Sequence, residues 1–107
     1  MKGERPVDLT PGVRAMRIGS LRVRLLLREA RTLKDKRQVV NSIKDRIRNE
    51  FNVSVAEVEA QDQRQLAVLG IAMVGQDARH LKSCLGRIVE ALRVHPVAEF
   101  LDAEVDV

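Results

Sequence analysis

Five side chains stand out as candidates to move a proton or attack an electrophile: Glu57, Glu59, His80, Cys84 and His95. Glu57 and Glu59 stand two apart in a stretch that reads as a strand. Both then fall on one face and could pair as acid and base, but on an exposed edge the same spacing is solvated charge. His80 and His95 sit at opposite ends of a helix-like stretch. A cation near a helix C-terminus is favoured by the dipole, which explains His95 better than a role as a base does. Cys84 falls on or beside the apolar side of that helix, and a buried thiol is inert. Nothing brings acid, base and nucleophile together. A single cysteine cannot close an internal disulfide, and with two histidines it does not make a typical closed zinc site. No glycine-rich phosphate loop is present, since Gly70 and Gly75 are isolated. We assign no catalytic, cofactor or metal residue. The expectation is a protein that is not an enzyme and takes no cofactor or small-molecule substrate.

The other chemistry on offer is contact with anions. The chain of 107 residues carries a net charge of +4, distributed unevenly. Residues 16–50 hold eleven basic and four acidic side chains, whereas residues 51–107 hold five and nine. That polarity suits a polyanionic partner, most simply nucleic acid, but it also lets the two halves neutralise each other. The densest set lies in Thr32–Phe51, TLKDKRQVVNSIKDRIRNEF. Leu33, Val40, Ile43, Ile47 and Phe51 recur at helical spacing and define a buried stripe. Lys34, Arg37, Asn41, Lys44 and Arg48 fall beside it. Asp35, Asp45 and Glu50 offer partial compensation at i,i+3 and i,i+4.

The elements that position this helix follow from periodicity. Residues 1–15 contain Pro6, Pro11, Gly3 and Gly12 without periodicity and read as a flexible tail. Met16 stands where a later start is conceivable. Residues 16–107 read as one domain, long enough for a modest core. Hydrophobic residues make up 45% and charged residues 32%, ordinary for a soluble globular protein. With two Phe and no Trp or Tyr, the core must be aliphatic. Alternation over 17–27 predicts a strand with Leu21, Val23, Leu25 and Leu27 on one face and Arg22, Arg24, Leu26 and Arg28 on the other. Thr32 reads as the N-cap of the basic helix, with Asp35 completing a capping box and Asn52 able to end the helix with a left-handed backbone.

A second strand is predicted over 53–60 and a third over 66–74, the latter apolar on both faces and so central. Asp77 caps a second helix whose buried stripe is Ala78, Leu81, Leu85, Ile88 and Leu92. Gly86 in its middle suggests close backbone packing, and Pro96 forbids continuation past His95. Residues 99–107 alternate again, with Phe100, Asp102, Glu104 and Asp106 on one face.

This order predicts an α+β, ferredoxin-like βαββαβ sandwich, a four-stranded antiparallel sheet of order 4-1-3-2 with both helices on one face. Arg22 and Arg24 then face Asp102, Glu104 and Asp106, which makes them ladder partners. The helix stripe has no such obvious answer. On the open face, Leu66, Val68 and Ala72, or else Ala67, Leu69, Ile71 and Met73, would join Leu26 and Phe100 in an apolar patch. Such a patch predicts an interaction surface, most simply a homodimer. Stacking of bases on this sheet is not expected, because aromatics are lacking.

The runs Leu33-Lys34-Asp35-Lys36-Arg37 and Phe51-Asn52-Val53-Ser54-Val55-Ala56-Glu57-Val58, in this order and spacing, resemble the two signatures of the YlxP-like family. These are small bacterial proteins classed as a domain of unknown function. The likeness covers about residues 16–107. It implies a ferredoxin-like fold and, because family genes often neighbour those of translation initiation and ribosome-binding factors, a role near the ribosome. It brings no catalytic residues. Where the family often shows an apolar residue, Trp, Gln and Arg after Gln-Asp, this chain has Gln63, Arg64, Gln65 and Leu66. The aromatic is absent and the basic residue sits two places earlier.

These readings converge on a cytoplasmic homodimer that binds RNA or a ribosomal particle through phosphate contacts from Lys34, Lys36, Arg37, Lys44 and Arg48, with Arg64 as an outlying candidate. The alternative is a protein-interaction or scaffold module that uses the open sheet face. No membrane association is expected: no apolar run approaches the roughly 20 residues needed to span a bilayer, and no secretory signal is recognisable.

Overall fold

Alternating apolar and charged residues make the first strand the spine of the molecule. In the computed structural model, which describes residues 16–107 together with Gly3, Pro6, Val7 and Leu9, β1 (Arg17–Leu26) lies between β3 (Leu66–Gly75) and β4 (Glu99–Asp106), and β2 (Ser54–Glu59) flanks β3. The expected tail over 1–15 falls almost wholly outside the described residues. All pairings are antiparallel and the order is β2-β3-β1-β4, the predicted 4-1-3-2 read from the other edge. With α1 (Leu33–Glu50) and α2 (Ala78–Arg93), the chain is an α+β, ferredoxin-like βαββαβ fold.

The period-two pattern of β1 fixes which face is dry. Leu21, Val23 and Leu25 lie opposite Ile71, Leu69 and Ala67 in β3, and all six are buried. Leu81, Leu85, Ile88 and Leu92 of α2 cover them, joined by Cys84 and Val89. At about 1.5–3 kcal/mol for each fully buried aliphatic side chain, this aliphatic interface is the main source of stability. Among the described residues no helix is long and apolar enough to cross a membrane.

Arg22, Arg24, Val68, Gly70 and Ala72 point to the opposite face. There the ladder partners meet. Arg22 reaches Glu59 at 2.6 Å and Glu104 at 3.4 Å, and Arg24 Nε lies 3.0 Å from both carboxylate oxygens of Asp102. The Arg24 hydrogen bond holds the Asp102 carboxyl below its ordinary pKa, and the bond to Glu59 holds the Arg22 guanidinium above its own. Val68 is only 1% exposed on this face, because its cross-strand neighbours are Arg24 and Glu59.

Two β-bulges correct the predicted faces. Register shifts between Glu57 and Glu59: Glu57 keeps the helix-facing side of Val55, and the extra residue Val58 turns Glu59 to the open side with Arg22. The two carboxylates are thus on opposite faces and form no pair. A second shift between Arg24 and Leu25 places Phe100 opposite Leu25, against the core rather than on the open face.

Two local expectations, at Asn52 and Gly86, also change. Asn52 is not left-handed: α1 ends at an extended Phe51, φ −134°. Ala60 is the one non-glycine with positive φ among the described residues. Gly86 faces open space, since an added Cβ would meet nothing within 4 Å.

His95 differs most from expectation. Its Nδ1 accepts the N–H groups of Val97, at 3.2 Å, and Ala98, at 3.1 Å, so it closes the turn after α2 as a neutral ring. Burial first, and Arg46 second, hold its pKa below the ordinary 6.5. The dipole reading required the opposite shift. A group with a lowered folded pKa stabilises above its unfolded value and loses that contribution as pH falls through it. His95→Leu is therefore expected to cost about 1 kcal/mol near pH 7.5 through the lost acceptor. The gap to the parent should narrow as pH drops below 6.5. A gap in urea-derived stability that stays constant from pH 7.5 to 5.5 would refute this role.

Candidate nucleic-acid interface

Helix α1 starts where it does because Thr32 and Asp35 satisfy each other's backbone. Asp35 N donates to Thr32 Oγ1 at 3.0 Å, and Asp35 Oδ2 accepts from Arg31 N at 2.9 Å and Thr32 N at 3.2 Å. These bonds, led by that from Arg31, hold the Asp35 carboxyl below its ordinary pKa. Its charge is committed to the helix start. Glu50 is likewise committed to Arg46 at 3.4 Å, off the stripe. Two of the three acids expected to compensate the stripe are therefore occupied elsewhere.

The structure sorts the six candidate cations into three groups. Lys34, Arg37 and Arg64 are exposed and Lys44 is half-buried, and among the described residues none of the four makes a hydrogen bond or ion pair. Arg48 is shared. Its Nη2 donates to the carbonyl of Val55 on edge strand β2 at 2.8 Å, and its Nη1 lies 3.7 Å from Asp45. A guanidinium has five donors, so Arg48 keeps capacity for a further anion.

Lys36 leaves the set. It is 1% exposed, and its ammonium donates to the carbonyls of Ala60 at 2.6 Å and Gln63 at 2.7 Å. Its third oxygen contact is Glu57 Oε2, also at 2.6 Å. That last contact is an ion pair without hydrogen-bond geometry, and it is the polar contact Oε2 has among the described residues. Two hydrogen bonds, one ion pair and burial commit this ammonium to the protein, so no phosphate can reach it. The physical reason is position: Lys36, Val40, Ile43 and Ile47 share one helical face, and all four are buried.

Lys36 thereby acquires a structural role that its charge alone did not suggest. It ties α1 to the connection over residues 60–65, including the left-handed Ala60. Arg64 follows directly on Gln63, so the tether fixes the base of this cation beside the helix. The spacing 33, 36, 40, 43, 47 is the signal that could have found it, because position 36 falls within the apolar series.

The remaining chemical candidates do not converge. Cys84 Sγ and His80 Nε2 lie 3.6 Å apart, one turn apart on α2, with the thiol buried. Among the described residues no group of three His, Cys, Asp or Glu side chains could hold a metal ion. The open sheet face carries a shallow depression lined by small residues, Ser20, Ser54, Ala56, Gly70 and Ala72. Exposed Ile18, Val58 and Val74 lie on and around it. A Cβ on Gly70 would come within 2.8 Å of Val58, so glycine is what lets the bulged Val58 lie across the sheet.

Comparison with known proteins places this geometry in a family. Residues 18–105 match the family model described as "Protein of unknown function (DUF503)". The chain is 33% identical over 82 residues to the "Uncharacterized protein YlxP" of Bacillus subtilis (strain 168), covering 77% of this chain and 89% of that protein. The chain belongs to the DUF503, YlxP-like family.

Proposed function

We propose that this family member is a non-enzymatic cytoplasmic homodimer that binds RNA or a ribosomal particle through the outer face of α1. The observation that carries the reading is the lack of compensation: Lys34, Arg37 and Lys44 stand on one helix face without a polar partner among the described residues. The strand arginines, by contrast, are consumed by Glu59, Asp102 and Glu104. Arg48 and Arg64 extend the basic face, and Lys36 positions Arg64 rather than touching the ligand. The dimer would form over the open sheet face, where Ile18, Val58 and Val74 are exposed.

That same apolar patch favours a second reading, a protein-interaction module in which the basic stripe only solvates the helix. Sucrose-gradient fractionation of cell lysate separates the two. The phosphate reading expects the protein in ribosomal-subunit fractions at low salt and at the top of the gradient at high salt. Capture of a protein partner that withstands nuclease and salt would support the second reading instead.

A further inference from the structure

We infer that the nucleic acid is a duplex, and specifically double-stranded RNA, met along its backbone; this rests on the phosphate-contact reading above. Proteins that hold single strands stack the bases on aromatic side chains. This chain has two aromatic residues, Phe51 and Phe100. Both are packed against the core, and each has an arginine over its ring: Arg87 at 5.3 Å from Phe51 and Arg93 at 4.3 Å from Phe100. Neither is available to a base, and the stripe from Lys34 to Arg48 contains none.

What the stripe does offer is point charges at fixed spacing. Lys34, Arg37, Lys44 and Arg48 ride one rigid 18-residue helix, and from the first to the last the rise is about 21 Å. A duplex presents its phosphates as a comparably rigid array, so little order must be imposed on binding. A flexible single strand would have to be ordered against the helix without base stacking to offset the cost.

The choice of RNA follows from shape. The Lys36 tether holds the 60–65 connection against α1, and α1 itself lies over the sheet beside β2. The major groove of B-DNA, about 12 Å wide and 8.5 Å deep, is read by a helix that enters it, whereas α1 lies against β2 and the 60–65 connection and presents its stripe as a surface. Such a surface suits the wide, shallow minor groove of A-form RNA, where 2′-hydroxyls are displayed. Asn41, exposed within the stripe, supplies both a donor and an acceptor for them.

Fluorescence anisotropy on the full chain tests this with three labelled probes of one sequence: an RNA duplex of about 20 base pairs, its single strand, and the DNA duplex. The RNA duplex is expected to bind at least about tenfold more tightly than the single strand and measurably more tightly than the DNA duplex. The Lys34→Glu/Arg37→Glu/Lys44→Glu variant should lose this binding. Equal or tighter binding of the single strand, still abolished by the triple variant, overturns the duplex inference and leaves the stripe standing. Equal binding of the DNA duplex overturns the RNA preference. Binding of none of the three overturns both the inference and the reading it rests on.

Discussion

Replacing Lys36 with Met is expected to destabilise the fold by about 3–5 kcal/mol, the usual cost of stranding one partner of a buried ion pair. For a domain of this size that lowers the melting temperature by about 15–30 °C. The loss has three parts: Glu57, with a side chain 16% exposed, keeps an uncompensated charge, and the carbonyls of Ala60 and Gln63 lose their donor. Glu57→Leu in the same background should recover part of the loss, because the stranded carboxylate is then gone. A double-mutant cycle should show coupling of about 1–3 kcal/mol. Arg64 serves as the contrast, since Arg64→Glu should change stability by no more than about 0.5 kcal/mol. Denaturant titration of the four variants decides the matter. A Lys36→Met cost near that of Arg64→Glu would mean that the tether is not formed in solution.

The second large effect is functional. Reversing Lys34, Arg37 and Lys44 together is expected to remove most RNA affinity while leaving stability within about 1 kcal/mol, because no protein contact is lost. With four to five phosphates neutralised, affinity of the parent for a duplex should fall about 150- to 500-fold between 50 and 200 mM salt. In the variant the slope of log affinity against log salt should flatten by about two to three units. Single reversals should each cost a fraction of this. A Lys36 variant that still folds should retain much of the affinity, because Lys36 meets no phosphate. Equal losses from Lys36 and Lys34 variants at a temperature where both are folded would contradict the division between tether and contact.

Most of the fold was legible because it is written in periodicity. Alternation in residues 17–27 gave the dry face of β1, and the apolar run of residues 66–74 gave a central strand. The Thr32–Asp35 box gave the start of α1. The ladder between Arg22, Arg24 and the acids of β4 followed from topology. What periodicity does not carry is a one-residue insertion. The bulges at Val58 and near Leu101 shift the register, and with it the faces of Glu59 and Phe100; alternation runs unbroken through Val58, and only the adjacent apolar pair Phe100-Leu101 marks the second bulge. Lys36 was misplaced for another reason. Its charge outweighed its position in the apolar series, and a buried lysine is affordable only when distant oxygens, here from residues 57, 60 and 63, converge on it. His95 was misjudged because proximity to a helix end suggests a cation, whereas the turn that follows α2 needs an acceptor.

We propose that the uncompensated face of α1 meets RNA phosphates. The most direct measurement is the salt-step sucrose gradient run in parallel on the parent chain and on the Lys34→Glu/Arg37→Glu/Lys44→Glu variant. The parent is expected in subunit fractions at low salt and at the top at high salt, with the variant at the top in both. Co-migration of the folded variant with the subunits at low salt, or of the parent at high salt, would contradict the claim.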